Sequence, residues 1–333
     1  MAYHYYNWSI GLGSNTALGR IGIYGVAIFY ILSGLTLYIV YQHTLKFTFN
    51  SVLSFWIKRF FRIFPLLWFV VTVSVCLQHH HPGIIKLFLN YTGLFGFLRP
   101  QAYISMNLWS IGNELVFYSL FPLFLLLAKN QSKLFYLILL LSILIGLYFA
   151  FDVLNVQKSL ASQWGNYINP FNQLLLFVGG IFIGKNAQYI NVARHQKVII
   201  ALLLLSIAAF IFYPVPALAN GERINLVTGI NRMVFVVICY IICFCCFHQN
   251  QILTAFIDKP LVLLGEISYS VYLLHPLVYS AVIRLNHKFF SVSTSYCLIS
   301  GIFLSFLLSF ITYRLLEKPC MEYGSRLIQR LNL

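Results

Sequence analysis

The chain has 333 residues, of which 60% are hydrophobic and only 9% charged, and 22 Lys and Arg against seven Asp and Glu give a net charge of +15. Soluble domains carry roughly 25% charged residues, so the composition excludes an ordinary soluble fold and points to a polytopic membrane protein. A basic soluble protein would suggest nucleic acid; here basic loops have a simpler use in fixing topology, and no nucleic-acid partner is expected.

The opening stretch MAYHYYNWSIG lacks the charged region and cleavage site of a signal peptide. It reads as the outer end of a first helix whose inner part is missing, through a start assigned too late or a truncated gene. A bilayer core about 30 Å thick takes about 20 apolar residues per helix. Runs of that kind occupy 21–41, 62–78, 108–128, 133–151, 170–185, 198–213, 231–248, 261–281 and 294–316. The stretch 84–98 is shorter and reads as interfacial or re-entrant. No composition break, low-complexity tract or internal repeat interrupts the chain, so 1–333 is read as one domain. The expected fold is all-α: a transmembrane helix bundle of nine complete spans plus the remnant of a first helix.

Basic residues crowd alternate loops. Lys46, Lys58, Arg59 and Arg62 follow the first complete span, Lys129 and Lys133 the third, and Lys185, Arg194 and Lys197 the fifth; Lys318, Arg326 and Arg330 lie in the tail. The positive-inside rule places these segments and the C-terminus in the cytoplasm and Met1 outside.

Glu114 is one of seven acids, and it sits in the apolar run WSIGNELVFYSLFPLFLLLA, residues 109–128. A carboxylate at membrane depth is costly and faces a bundle interior or a wet cavity. Ser110, Glu114 and Tyr118 share one helical face. Two readings stand: a structural clamp, with Glu114 protonated or paired to an arginine such as Arg314, or a member of a site. Ser268, Tyr272, His275 and Tyr279 follow a second one-sided stripe, and Pro276 frees carbonyls in that helix. Here helix-to-helix packing and function are equally open. In FWIKRFFRIFPLLWF, Arg59 and Arg62 lie three apart at a membrane boundary. They serve either as a topological anchor or as guanidinium forks for phosphate. His4, beside aromatics, is a candidate general base.

Seven cysteines, four of them crowded at Cys239, Cys243, Cys245 and Cys246, read as small apolar packing. The tract His79, His80 and His81 is a weak metal candidate, since adjacent residues cannot all converge on one ion; no metal and no bound cofactor are expected.

Taken in order, the segments YGVAIFYILSGLTLYI (24–39), RFFRIFP (59–65), WSIGNELVFY (109–118), LGEISYSVYLLHP (264–276) and EKP (317–319) resemble the acyltransferase-3 family of bacterial integral-membrane acyltransferases. The resemblance covers nearly the whole chain. It implies transfer of an acyl group, usually acetyl, from acetyl-CoA to hydroxyls of surface glycans or other exported molecules, across the bacterial cytoplasmic (inner) membrane. It implies that His4, 21 residues before Gly25, is the catalytic base, and that Arg59 and Arg62 hold the acyl donor. A basic residue expected about ten positions before the histidine would fall before Met1.

The expectation is therefore a membrane O-acyltransferase with acyl-CoA as co-substrate and a glycan acceptor. His4 and Glu114 are its catalytic pair, and Glu114 orients or charges the histidine. Tyr272 or His275 donates to the developing oxyanion. Ser33, Ser110, Tyr118, Ser268, Tyr272 and His275 are candidates to line the site. The alternatives are a glycan or lipid transporter, against which the missing internal repeat counts, and an inactive truncated acyltransferase.

Overall fold

A computed structural model describes residues 1–9, 11, 16–77, 82–130, 133–187, 189, 192–216, 222–248 and 255–333. Its α-helices run in chain order: α1 (Ala2–Ser9), α2 (Ala17–Tyr41), α3 (Phe49–Leu77), α4 (Ile84–Thr92), α5 (Phe95–Leu98), α6 (Leu108–Lys129), α7 (Lys133–Tyr148), α8 (Trp164–Tyr167), α9 (Pro170–Ala187), α10 (Val192–Phe212), α11 (Glu222–Leu226), α12 (Gly229–Phe247), α13 (Ala255–Glu266), α14 (Ser268–Leu285), α15 (Thr294–Thr312) and α16 (Lys318–Arg330). No strand occurs among the described residues. The class is all-α, as composition requires: in hydrocarbon every backbone polar group must be satisfied inside its own segment, and helices do that.

Seven helical stretches are long and apolar enough to cross a membrane: 17–41, 49–77, 108–129, 133–153, 195–212, 229–247 and 294–330. Two bent pairs complete the expected nine if each counts as one span. Ala161–Tyr167 with Pro170–Ala187 bends by 50°, and Asp258–Glu266 with Ser268–Phe290 bends by 65°. The protein is a multi-pass membrane protein. α4, nine residues long, rises only about 13 Å at 1.5 Å per residue, too short to cross, as its sequence implied.

The described chain divides into two compact units. Unit 1 comprises Met1–Gly11, Lys46–Gly112 and Leu253–Leu333; unit 2 comprises Leu12–Leu45 and Asn113–Ile252.

In unit 1, α16 packs on α3 with Gly324 against Phe61, where a Cβ would lie 2.8 Å from the ring. α1 is stapled by Tyr5, whose hydroxyl donates to the carbonyl of His275 at 2.8 Å and meets Ser305 Oγ at 2.5 Å. Tyr5 is fully buried, so these bonds to α14 and α15 fix where its neighbour His4 stands.

In unit 2, α2 and α9 meet backbone to backbone. A Cβ on Gly34 would collide with the carbonyl of Phe177, and one on Gly180 with the carbonyl of Ile31. Small residues permit that approach, and dispersion between the bared backbones holds transmembrane helices together where lipid supplies no hydrophobic drive. Phe117 stacks on Phe177 with centroids 5.2 Å apart. Cys239, Cys243 and Cys245 are buried in α12, in keeping with a packing role, whereas Cys246 on the same helix and Cys76 are exposed.

Candidate functional site

The polar centre of unit 1 is built on α14. Pro276 has no N–H to close the helical bond onto Tyr272, and the amide of Asn107 takes its place, with Nδ2 donating to the Tyr272 carbonyl at 2.6 Å. The same nitrogen faces His275 Nε2 at 3.5 Å. His275 Nδ1 lies 2.9 Å from the carbonyl of Val271. A carbonyl only accepts, so Nδ1 carries the proton and Nε2 presents its lone pair to the Asn107 amide. His275 is thereby a neutral ring, 1% exposed, with both nitrogens engaged.

His4 of α1 lies against this ring. The two imidazoles stack with centroids 5.3 Å apart and planes 29° apart. Trp8 stacks on His4 at 5.1 Å. His4 itself is half-buried. Ser110 Oγ donates to the Asn107 carbonyl at 3.0 Å and lies 2.6 Å from the hydroxyl of Tyr272, so Tyr272 donates to Ser110 in this arrangement. Tyr279 meets Ser9 at 2.5 Å. Of the stripe read from the sequence, Tyr272, His275 and Tyr279 thus converge on α1 and the start of α6. Ser268, the first residue of α14, instead donates to Gly265 at 2.7 Å.

A second cluster of unit 1 lies around α3. Arg59 and Arg62 are half-buried. The Arg59 guanidinium sits 5.7 Å from the centroid of Phe55, and Arg62 Nη1 donates to Met321 Sδ at 3.6 Å. Beside Arg62 stands Glu317, 1% exposed, accepting a hydrogen bond from Ser270 on α14. Its Oε2 has no hydrogen-bond partner among the described residues. Tyr269, next to Ser270, donates to the carbonyl of Ile63 at 2.9 Å. α14 therefore reaches from the arginine cluster at Tyr269 and Ser270 to His275, five residues or about 7.5 Å of helical rise further on.

Glu114 belongs to unit 2. Tyr118, one turn on, donates to its Oε1, and Tyr118 in turn lies 3.2 Å from Ser33. The i, i+4 spacing gave that pair. Arg314, raised as an ionic partner, lies in unit 1 with its guanidinium 5.2 Å from the Phe310 ring. Asn107 and Glu317 were not singled out from the sequence. Pro276 was the available signal for the first, and the EKP tripeptide for the second. Among the described residues no group of three His, Cys, Asp or Glu is placed to hold a metal; His79, His80 and His81 lie outside the described residues.

A family model described as an acyltransferase domain matches residues 1–314. A peptidoglycan O-acetyltransferase of Listeria monocytogenes is 26% identical over 97% of this chain and 54% of its own length. An O-acetyltransferase of Staphylococcus aureus is 23% identical over 91% of this chain and 53% of its own. The chain spans about half the length of these curated relatives. No solved structure matches it significantly. With the family model matching 314 of 333 residues, the chain belongs to that acyltransferase family.

Proposed function

We propose that the chain is a membrane O-acyltransferase that moves an acyl group, acetyl in the first instance, from acyl-CoA to a hydroxyl of a cell-surface or exported glycan at the bacterial cytoplasmic membrane. The observation that carries the reading is the stacking of half-buried His4 on His275 within a chain of the acyltransferase family. The relatives' names, O-acetyltransferase and in one case peptidoglycan O-acetyltransferase, support a glycan hydroxyl as acceptor.

A sugar hydroxyl is a poor nucleophile until a base takes its proton, and an imidazole is matched to neutral pH. Both nitrogens of His275 are engaged by Val271 and Asn107, and the role of base is assigned to His4, the half-buried imidazole stacked on that ring. His4 takes the hydroxyl proton as the oxygen attacks the thioester carbonyl. Tyr272, turning its hydroxyl from Ser110, donates to the oxyanion. The carbon–sulfur bond breaks, and the leaving thiolate takes the proton back from His4. Arg59 and Arg62 hold the donor's phosphates, with Glu317 beside Arg62 and bonded to Ser270 of α14, the helix that also carries His275.

The test is incorporation of label from radiolabelled acetyl-CoA into an exogenous glycan by the full-length protein in membranes. A positioned acid–base group contributes roughly 10²–10⁴-fold, so His4→Ala should lose about that factor with expression unchanged. Wild-type protein that moves glycan across the bilayer without acetylating any would overturn the reading in favour of a transporter. An active His4→Ala protein would remove the histidine from the chemistry.

A further inference from the structure

Between α3 and α6, unit 1 carries a groove of about 480 Å³ lined by Gly83, Ile84, Ile85, Lys86, Leu89, Arg99 and Ala102. That volume falls within the range of small-molecule sites, about 300–1,000 Å³. The groove has fixed walls. Asn90, fully buried, donates to the carbonyls of Lys86 at 2.8 Å and Ala102 at 2.7 Å, and accepts from the Ile104 amide at 3.0 Å. One side chain thus ties the helix bearing Lys86 to the segment that forms the opposite wall. The indole of Trp68 donates to the Tyr91 carbonyl at 2.8 Å, and Thr72 meets the Tyr91 hydroxyl at 2.8 Å, which fastens α4 to α3.

The lining is apolar apart from two exposed cations, Lys86 and Arg99. Neither side chain has a hydrogen-bond, ion-pair or ring partner among the described residues. No carboxylate is close in sequence to compensate them, for the first acid in the chain is Glu114. Around the groove stands a collar of large apolar side chains, with Ile84 82%, Ile85 64%, Phe88 59% and Leu98 67% exposed. Such a surface is placed in lipid or at its interface.

We propose that this groove binds an anionic phospholipid, its phosphate between Lys86 and Arg99 and an acyl chain along Ile84, Ile85 and Leu89. Charge complementarity selects the occupant. Two uncompensated cations at the mouth of an apolar slot, set in a membrane-facing collar, match a molecule with one anionic head and a hydrocarbon tail. A soluble anion would leave the apolar floor uncovered, and a neutral lipid would leave the cations unmet. The site shares no residue with the histidine or Arg59–Arg62 clusters, so the proposal stands whether or not the acyl-transfer reading holds.

The experiment is a lipid titration of the purified, delipidated full-length protein in detergent, read by native mass spectrometry. Phosphatidylglycerol should bind at least tenfold more tightly than phosphatidylcholine. Each basic residue near a membrane anion is worth about fivefold, so Lys86→Ser with Arg99→Gln should weaken phosphatidylglycerol binding about 30-fold. Both side chains are exposed, so the fold should persist, and Lys86→Gln alone should still cost about fivefold. Ala102→Trp, which fills the groove and leaves the charges, should weaken binding as well. Unchanged affinity in the double variant, unchanged affinity in Ala102→Trp, equal binding of the two lipids, or full displacement of the lipid by millimolar inorganic phosphate would each overturn the proposal.

Discussion

The side-chain amide of Asn107 stands where Pro276 withholds a backbone donor, 2.6 Å from the carbonyl of Tyr272. The same nitrogen faces His275 Nε2, so one residue both repairs the helix and fixes the tautomer of the histidine against which His4 lies. Asn107→Ala should cost about 1–3 kcal/mol, the penalty of a buried acceptor left unmet, and should lower transfer with it. Pro276→Ala returns an N–H to the Tyr272 carbonyl. The cost of Asn107→Ala should therefore shrink in the Pro276→Ala background while activity stays low, because Nε2 still lacks its donor. Melting temperatures and rates of the four proteins check this; fully additive stability losses would show that the amide and the proline are unconnected.

Replacing Arg59 and Arg62 together by Lys keeps the charge and removes the bidentate forks. Charge-assisted hydrogen bonds contribute about 1.5–3 kcal/mol each, so the donor KM should rise at least about tenfold, with turnover at saturating donor largely kept. Initial rates against acetyl-CoA concentration measure it. An unchanged KM would reduce the pair to a membrane anchor.

Glu114 and Tyr118 are joined through a hydrogen bond in unit 2, with Ser33 beside them. Glu114→Gln replaces the carboxyl by an amide at constant shape, and Tyr118→Phe removes the donor; each should lower transfer, the glutamine more. The expected partnership with His4 is a question of energetic coupling. If the two act as a unit, Glu114→Gln combined with His4→Ala should be little worse than His4→Ala alone. A multiplicative loss in the double variant would give Glu114 an independent role.

Gly34 and Gly180 stand where α2 and α9 approach most closely. Valine at either should force the helices apart and destabilise the protein by at least about 2–3 kcal/mol. Valine at Gly25, where a new Cβ would meet nothing within 4 Å, is the control and should leave the thermal transition of the detergent-purified protein in place.

The spans were legible because the bilayer imposes a length and polarity that apolar runs report directly. The two bends were not, since Pro170 and the Glu266–Ser268 step mark a break without giving its angle. Within the site, helical periodicity carried Tyr272, His275 and Tyr279 to one face, and it joined Glu114 to Tyr118. The same arithmetic placed Ser268 on the stripe, but at the first turn of α14 its hydroxyl is taken by the local Gly265 carbonyl. Asn107 escaped because its partner is a backbone carbonyl 165 residues away, and no side-chain pattern encodes that. Glu317 sat in a recognised tripeptide, yet its burial against Ser270 follows from how α14 and the chain after α15 pack.

Three buried cations of unit 2 settle on backbone oxygens. Arg20 donates to the carbonyls of Phe210, Ile211 and Tyr213 at the end of α10, Lys185 to Ala128 near the end of α6, and Arg232 to Asn172. A chain with seven acids for 22 basic residues has few carboxylates to spend on such contacts. Carbonyl oxygens do not titrate, so acidification that would protonate carboxylates and release paired cations leaves these three fastenings intact. This part of the scaffold is thereby buffered against acid by the chemical nature of its acceptors.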